Sequence, residues 1–179
     1  MVACGAGNSA IVSRLVQVPG LDINYQTEAG VTAVHRACRE SQTECVRILA
    51  ETDRVDWNKA DEWGRTPLSW ALIKGLSDVV DIVLQQPNID YNVKTGFGVT
   101  LAHAAVRGGD VKCVETLVAQ ERCDCWNVPN IHGDTPIMKA IKENKVNIFK
   151  ILTKCERVDL NQKEIMKLVP GPIAISILA

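Results

Sequence analysis

The feature that most constrains this chain is a short phrase written five times at nearly constant spacing. The copies are Asp22-Ile23-Asn24, Asp56-Trp57-Asn58, Asp90-Tyr91-Asn92, Cys125-Trp126-Asn127 and Asp159-Leu160-Asn161. Their asparagines are separated by 34, 34, 35 and 34 residues. Self-similarity at that period is the signature of stacked units, each burying a face against its neighbour, rather than of a globule folded about one centre. A chain of 179 residues written this way reads as one elongated domain that grows by adding units.

A second phrase travels in phase with the first: Gly30-Val31-Thr32, Gly64-Arg65-Thr66-Pro67-Leu68, Gly98-Val99-Thr100 and Gly133-Asp134-Thr135-Pro136-Ile137. Each threonine is placed to cap a helix, because its hydroxyl can accept from an unpaired amide of the first turn. Pro67 and Pro136 then fall where a missing N–H costs nothing. Leu68, Ala71 and Leu72 lie on one face of that helix, and Val79, Val80, Val83 and Leu84 repeat the pattern in a second one. Down the units, the second helix supplies three apolar columns: Ile11, Cys45, Val79, Cys113, Ile148; Val12, Val46, Val80, Val114, Phe149; and Leu15, Leu49, Val83, Leu117, Leu152. They are expected to form the spine of the core. The one extra residue of the fourth interval should fall in the turn at 119–122, where an insertion is cheap. Asp and Asn suit turns, so the five-fold phrase marks the exit from each second helix, with its apolar middle residue tucked beneath.

Gly-x-Thr-Pro-Leu-His followed by two small residues resembles the ankyrin repeat. The likeness is nearest at Gly64 to Ala71, at Thr32, His35 and Ala37, at Thr100, His103, Ala104 and Ala105, and at Thr135, Pro136 and Ala140. It implies an all-α ankyrin-repeat solenoid of stacked helix-turn-helix units with projecting hairpin loops, or fingers, whose tips would lie at 25–29, 59–63, 93–97 and 128–132. The units would be a partial one at 1–24, then 25–58, 59–92, 93–127 and 128–161, with a divergent tail or cap at 162–179. In such repeats Thr-x-x-His looks like a structural hydrogen bond. Ser69 and Met138 stand where His35 and His103 do in the other units, which no shared catalytic or metal site would allow.

The resemblance also implies a concave recognition surface made by the finger tips and the exposed face of each first helix. Residues there change from unit to unit. The position before the finger glycine reads Ala29, Trp63, Phe97, His132, and a first-helix position reads Arg36, Trp70, Ala104, Lys139. Trp63, Trp70 and Phe97 are the candidate anchors, with Arg36, Arg39, Lys74, Arg107 and Lys139 around them and Arg65, Lys94 and Lys142 extending a basic rim. The expected partner is a protein segment offering apolar side chains flanked by acidic ones. The expected role is a non-catalytic interaction module or adaptor. The alternatives are a targeting array of a larger enzyme or channel, and a substrate of asparaginyl hydroxylation: many ankyrin repeats resemble targets of that modification when a leucine lies eight residues before the hairpin asparagine, and Leu84 with Asn92 has that spacing.

A net charge of −1 and a pI near 6.3 supply no general attraction to nucleic acid or an anionic membrane. The start of the chain lacks a secretory signal pattern, which together with the thiols points to the cytoplasm or nucleus. Seven cysteines show no disulfide-scaffold spacing. Cys123-Asp124-Cys125 has the spacing of a soft-metal pair, yet zinc needs four ligands and no metal or cofactor is expected. No nucleophile elbow, phosphate loop or metalloprotease helix is written anywhere, so no enzyme is expected. Both ends read as cut: the chain is expected to be a fragment of a longer array, or a short product whose apolar tail at 168–179 folds back as a cap. Apolar residues at 2–11 and in that tail would favour weak self-association.

Overall fold

The computed structural model describes residues 1–160, and the tail expected at 162–179 lies outside the described residues. Ten helices run in pairs: α1 (Val2–Gly5) with α2 (Ser9–Leu15), α3 (Ala33–Arg39) with α4 (Thr43–Ala50), α5 (Pro67–Lys74) with α6 (Ser77–Leu84), α7 (Leu101–Gly108) with α8 (Val111–Val118), and α9 (Pro136–Lys142) with α10 (Val146–Thr153). Odd-numbered helices stack on odd ones and even on even, giving a two-layer solenoid. Among the described residues there is no strand, only a bridge between Lys94 and Thr100 in one hairpin.

The apolar columns fill the space between the layers. Cys45, Val79, Cys113 and Ile148 are buried, as are Val46, Val80 and Val114, and Leu49, Val83, Leu117 and Leu152. The first unit departs from expectation: Val12 is buried, but Ile11 and Leu15 are exposed, because no preceding unit among the described residues covers them. In the inner layer the closest approach is at Gly108, where an added Cβ would lie 2.0 Å from the Leu72 carbonyl oxygen. Only glycine lets α7 sit this tightly on α5.

Three of the four opening threonines cap as expected. Thr32, Thr66 and Thr100 accept from the third amide of α3, α5 and α7 at 3.4, 3.3 and 3.4 Å. Thr135 does not: its hydroxyl is buried without a partner, and the residue three positions on is Met138 rather than His or Ser. His35 shows what is missing. Its Nδ1 lies 3.2 Å from the Thr32 amide, which can only donate, so Nδ1 is an acceptor and the ring proton sits on Nε2, donating to the Arg65 carbonyl at 3.0 Å. His103 repeats this with the Thr100 amide at 3.3 Å and the Asp134 carbonyl at 2.8 Å. Each neutral histidine therefore ties its own helix cap to the next hairpin.

The asparagine phrase does comparable work on the outer edge. Asn24 donates to the Arg54 carbonyl at 2.7 Å and accepts from the Asp56 amide at 2.8 Å. Asn58 holds Asn88 and Asp90 the same way at 2.7 and 2.9 Å, and Asn127 holds Arg157 and Asp159 at 2.7 and 2.8 Å. The aspartate of each phrase accepts from its own asparagine's amide, at 2.9, 3.0 and 2.8 Å for Asp22, Asp56 and Asp90. Trp57, Tyr91 and Trp126 are buried beneath these turns. Asn92 is the exception: it is exposed, as Asn58 and Asn127 are, but its side chain makes none of these bonds. The inserted residue follows α8, and the carbonyl four residues before the next asparagine, that of Cys123, accepts from Arg157 at 2.7 Å instead.

Two stability measurements follow. Asn58→Ala, which removes two bonds spanning the unit boundary, should cost about 1–2 kcal/mol in urea unfolding, whereas Asn92→Ala should change stability by less than about 0.5 kcal/mol. Equal costs would mean that the clamp carries no stability. Burial holds the His35 and His103 pKa values below the usual 6.5. The unfolded chain then binds more protons below that value, so stability is full above about pH 6.5 and falls as pH drops toward the lowered pKa. Urea midpoints at pH 7.5 and 5.5 should differ in that sense, and replacing both histidines by Gln should flatten the slope.

Candidate protein-binding groove

Each finger is closed by one oxygen-bearing side chain. Thr27, Asp61, Thr95 and Asn130 accept from the amide four residues on, at 3.1, 2.9, 3.1 and 3.1 Å. The glycine three positions after each has φ between +68° and +80°, a conformation that excludes most side chains. This column was not singled out in the sequence, although it recurs at the same period as the asparagines and was legible there. Adjacent fingers pack edge to edge: the Glu62 amide donates to the Ala29 carbonyl at 2.9 Å and that of Ile131 to Phe97 at 3.1 Å. Among the described residues the middle pair, 59–65 against 93–99, has no equivalent backbone bond.

A shallow groove of about 130 Å³ opens at that middle pair. Trp63 and Phe97 line it, with Ile73 and Val99 among its apolar residues and Arg107 among its polar ones. Phe97 is 59% exposed and Trp63 45%. Trp63 is also held from behind. The Arg65 guanidinium lies 4.2 Å from the Trp63 ring centre and 4.0 Å from that of Trp70. Its Nε donates to Asp61 Oδ2 at 3.0 Å, and the Trp70 indole N–H donates to the same oxygen at 3.1 Å. Asp61 is 5% exposed, so a buried carboxylate organises an arginine and two indoles into one rigid stack. Trp70 is half-buried within it.

The basic rim is smaller than its residues suggested. Arg65 is paired with Asp61; Arg39 pairs with Glu40 at 3.0 Å; Lys139 pairs with Glu143 at 2.6 Å; and Lys142 contacts Asp134. An acidic residue one to eight positions away neutralises each. Arg36, Lys74, Lys94 and Arg107 are exposed and have no acidic partner within 4 Å among the described residues. Arg107 sits at the end of α7, where Lys145 donates to its carbonyl at 2.7 Å and steadies the helix terminus. His132 is exposed on the last described finger.

No group of three or more His, Cys, Asp or Glu side chains among the described residues could hold a metal ion. No helix among them is long and apolar enough to cross a membrane.

The fingers, paired helices and threonine caps all point one way, and comparison with known proteins agrees. A family profile described as ankyrin repeats in three copies matches residues 1–95 and again 89–164. The chain belongs to the ankyrin-repeat family. Ankyrin repeats generally mediate protein–protein interaction, and the family is typically non-enzymatic. Similar stretches occur in cortactin-binding protein 2 of Ovis aries, Mus musculus and Mustela putorius furo, each 39% identical over 51 residues. The match takes in 28% of this chain and 3% of each relative, so the chain spans only a small part of their length.

Proposed function

We propose that this ankyrin array is a non-catalytic protein-binding module that seats an extended segment with apolar side chains and acidic flanks in the groove between Trp63 and Phe97. One observation carries the reading: two large exposed aromatics line the groove that also holds Arg107, a cation with no acidic partner among the described residues. Trp63 is preorganised by its stack on Arg65, so little side-chain freedom is lost on binding. Phe97 supplies the second apolar contact, and Arg36, Lys74 and Lys94 extend the same sign of charge along the surface. The relatives' name assigns them a protein, cortactin, as partner, which supports a protein rather than a small ligand as the class of occupant here. The same groove would serve equally in a targeting array of a larger enzyme or channel. The thiols, none of them bridged, suit a reducing compartment, the cytoplasm or nucleus.

Phe97→Ala should weaken capture of the partner by about 2 kcal/mol, roughly thirtyfold. Arg107→Glu should weaken it further and reduce its salt dependence. Affinity capture with mass spectrometry, on variants whose thermal unfolding is unchanged, reads both, and retention of every wild-type partner by both variants would sink the proposal.

A second reading, modification of Asn92, has its own support. The Asn92 carboxamide is exposed and free of the bonds that hold Asn24, Asn58 and Asn127, and Leu84 lies eight residues before it. An asparaginyl hydroxylase could engage that side chain without first breaking a unit boundary. Mass analysis of protein from eukaryotic cells should then find one added oxygen on the peptide carrying Asn92 and none on those carrying Asn58 or Asn127. An unmodified Asn92 peptide would count against it.

A further inference from the structure

The turn after α8 differs from its equivalents in what it turns inward. Asp22, Asp56, Asp90 and Asp159 are all exposed, but Cys125, which occupies the same place in the phrase, is 2% exposed. The inserted residue lets the chain run in-out-in, with Cys123 fully buried, Asp124 exposed and Cys125 buried. Both sulfurs therefore face the same side, and Cys123 Sγ lies 3.3 Å from Cys125 Sγ. The remaining five cysteines are buried free thiols, and among the described residues no other pair of sulfurs is in hydrogen-bond contact.

We propose that Cys123 and Cys125 are a redox-active pair that closes a reversible intramolecular disulfide with hydroperoxides as the oxidant. The sulfurs need to approach to about 2.05 Å, a closing movement of roughly 1 Å shared between two side chains one residue apart. Access comes from local opening of the turn. Asn92 holds neither the Cys123 carbonyl nor the Cys125 amide, so opening this turn requires release of the Arg157 bonds to it and of no asparagine clamp.

The chemistry balances within the pair. The Cys125 thiol gives up its proton and its sulfur attacks one oxygen of hydrogen peroxide; an S–O bond forms as the O–O bond breaks, and the leaving hydroxide takes up that proton as water. The Cys123 sulfur then attacks the resulting sulfenic acid; the S–S bond forms as the S–O bond breaks, and water departs with the Cys123 thiol proton. Two thiols lose two protons and two electrons, and one hydrogen peroxide becomes two waters. A thiol reductant reverses the bond by exchange. Electrostatics favour this direction of attack: a hydrogen bond from the Cys123 thiol holds the Cys125 pKa below the usual thiol value, while the same contact and burial push Cys123 up.

Closing the ring would re-aim two carbonyls with structural roles. That of Cys123 accepts from Arg157 at 2.7 Å, and that of Cys125 accepts from the Thr100 hydroxyl at 3.4 Å. Thr100 caps α7 and lines the groove, so the pair is linked to the recognition surface through one side chain.

The test treats the folded full chain with hydrogen peroxide near neutral pH, alkylates remaining thiols in denaturant, digests with trypsin and reads masses. The peptide from Cys123 to Lys139 should appear without alkyl groups and lighter by two hydrogens, while peptides of the other five cysteines stay alkylated. The pair should be lost at least about tenfold faster than any other thiol, dithiothreitol should restore it, and Cys123→Ser should abolish it. Two results would overturn the proposal: a doubly alkylated wild-type peptide after exposure that oxidises the same pair in urea, or Cys125 ending as sulfinic acid beside an alkylated Cys123.

Discussion

A single asparagine side chain reaching thirty residues forward sets the register of this solenoid. Stacked units share no ladder of main-chain hydrogen bonds on their outer edge, so the turn of each unit would present unpaired carbonyls and amides. Asn24, Asn58 and Asn127 supply both a donor and an acceptor to the turn that follows. A hydrophobic column alone is tolerant of sliding, because apolar contact is non-directional. Paired hydrogen bonds are not tolerant, and they fix each unit at one height and one rotation on its neighbour. The histidines do the same on the inner edge at two boundaries, bonding the Arg65 and Asp134 carbonyls.

Much of this was legible in the sequence because it repeats. The 34-residue spacing located the turns, the threonine and proline openings located the first helices, and the apolar columns located the buried faces. Where a residue acts only through its own repeat position, period and residue type suffice. Thr135 shows the limit: at the same repeat position its hydroxyl is buried without a partner, and Met138 offers no side-chain atom to bond it as His35, Ser69 and His103 bond theirs. Ile11 and Leu15 show another, since burial of a column residue depends on a neighbour on both sides and the first unit has one among the described residues.

The proposed recognition surface was harder to read for a physical reason. Trp63, Arg65, Trp70 and Asp61 were visible as residue types, but their arrangement exists only once the finger folds back over the first helix. The buried Asp61 carboxylate converts an apparent free cation, Arg65, into packing material between two indoles. Similarly, Arg39, Lys139 and Lys142 counted as basic rim until their local acidic partners were in place. What remains exposed and unpaired among the described residues is a shorter list, of which Arg107 lines the groove with Trp63 and Phe97.

The inserted residue after α8 explains a second group of exceptions. It shifts the turn that Asn92 would clamp, and it reverses the direction of the position that elsewhere holds an exposed aspartate. An aspartate facing inward would bury a charge without compensation, which costs several kcal/mol. Cysteine is small and apolar enough to occupy that place, and Cys123 turns in beside it. Arg157 still holds the carbonyls of this turn, bonding those of Gln120, Glu121 and Cys123 at 2.9, 3.3 and 2.7 Å, and also that of Val118, as Arg54 holds those of Val16 and Leu21 in the first turn beside the Asn24 clamp. One added residue thus removes the asparagine clamp and keeps the arginine one. It leaves an unbonded asparagine on one side of the boundary and two facing thiols on the other.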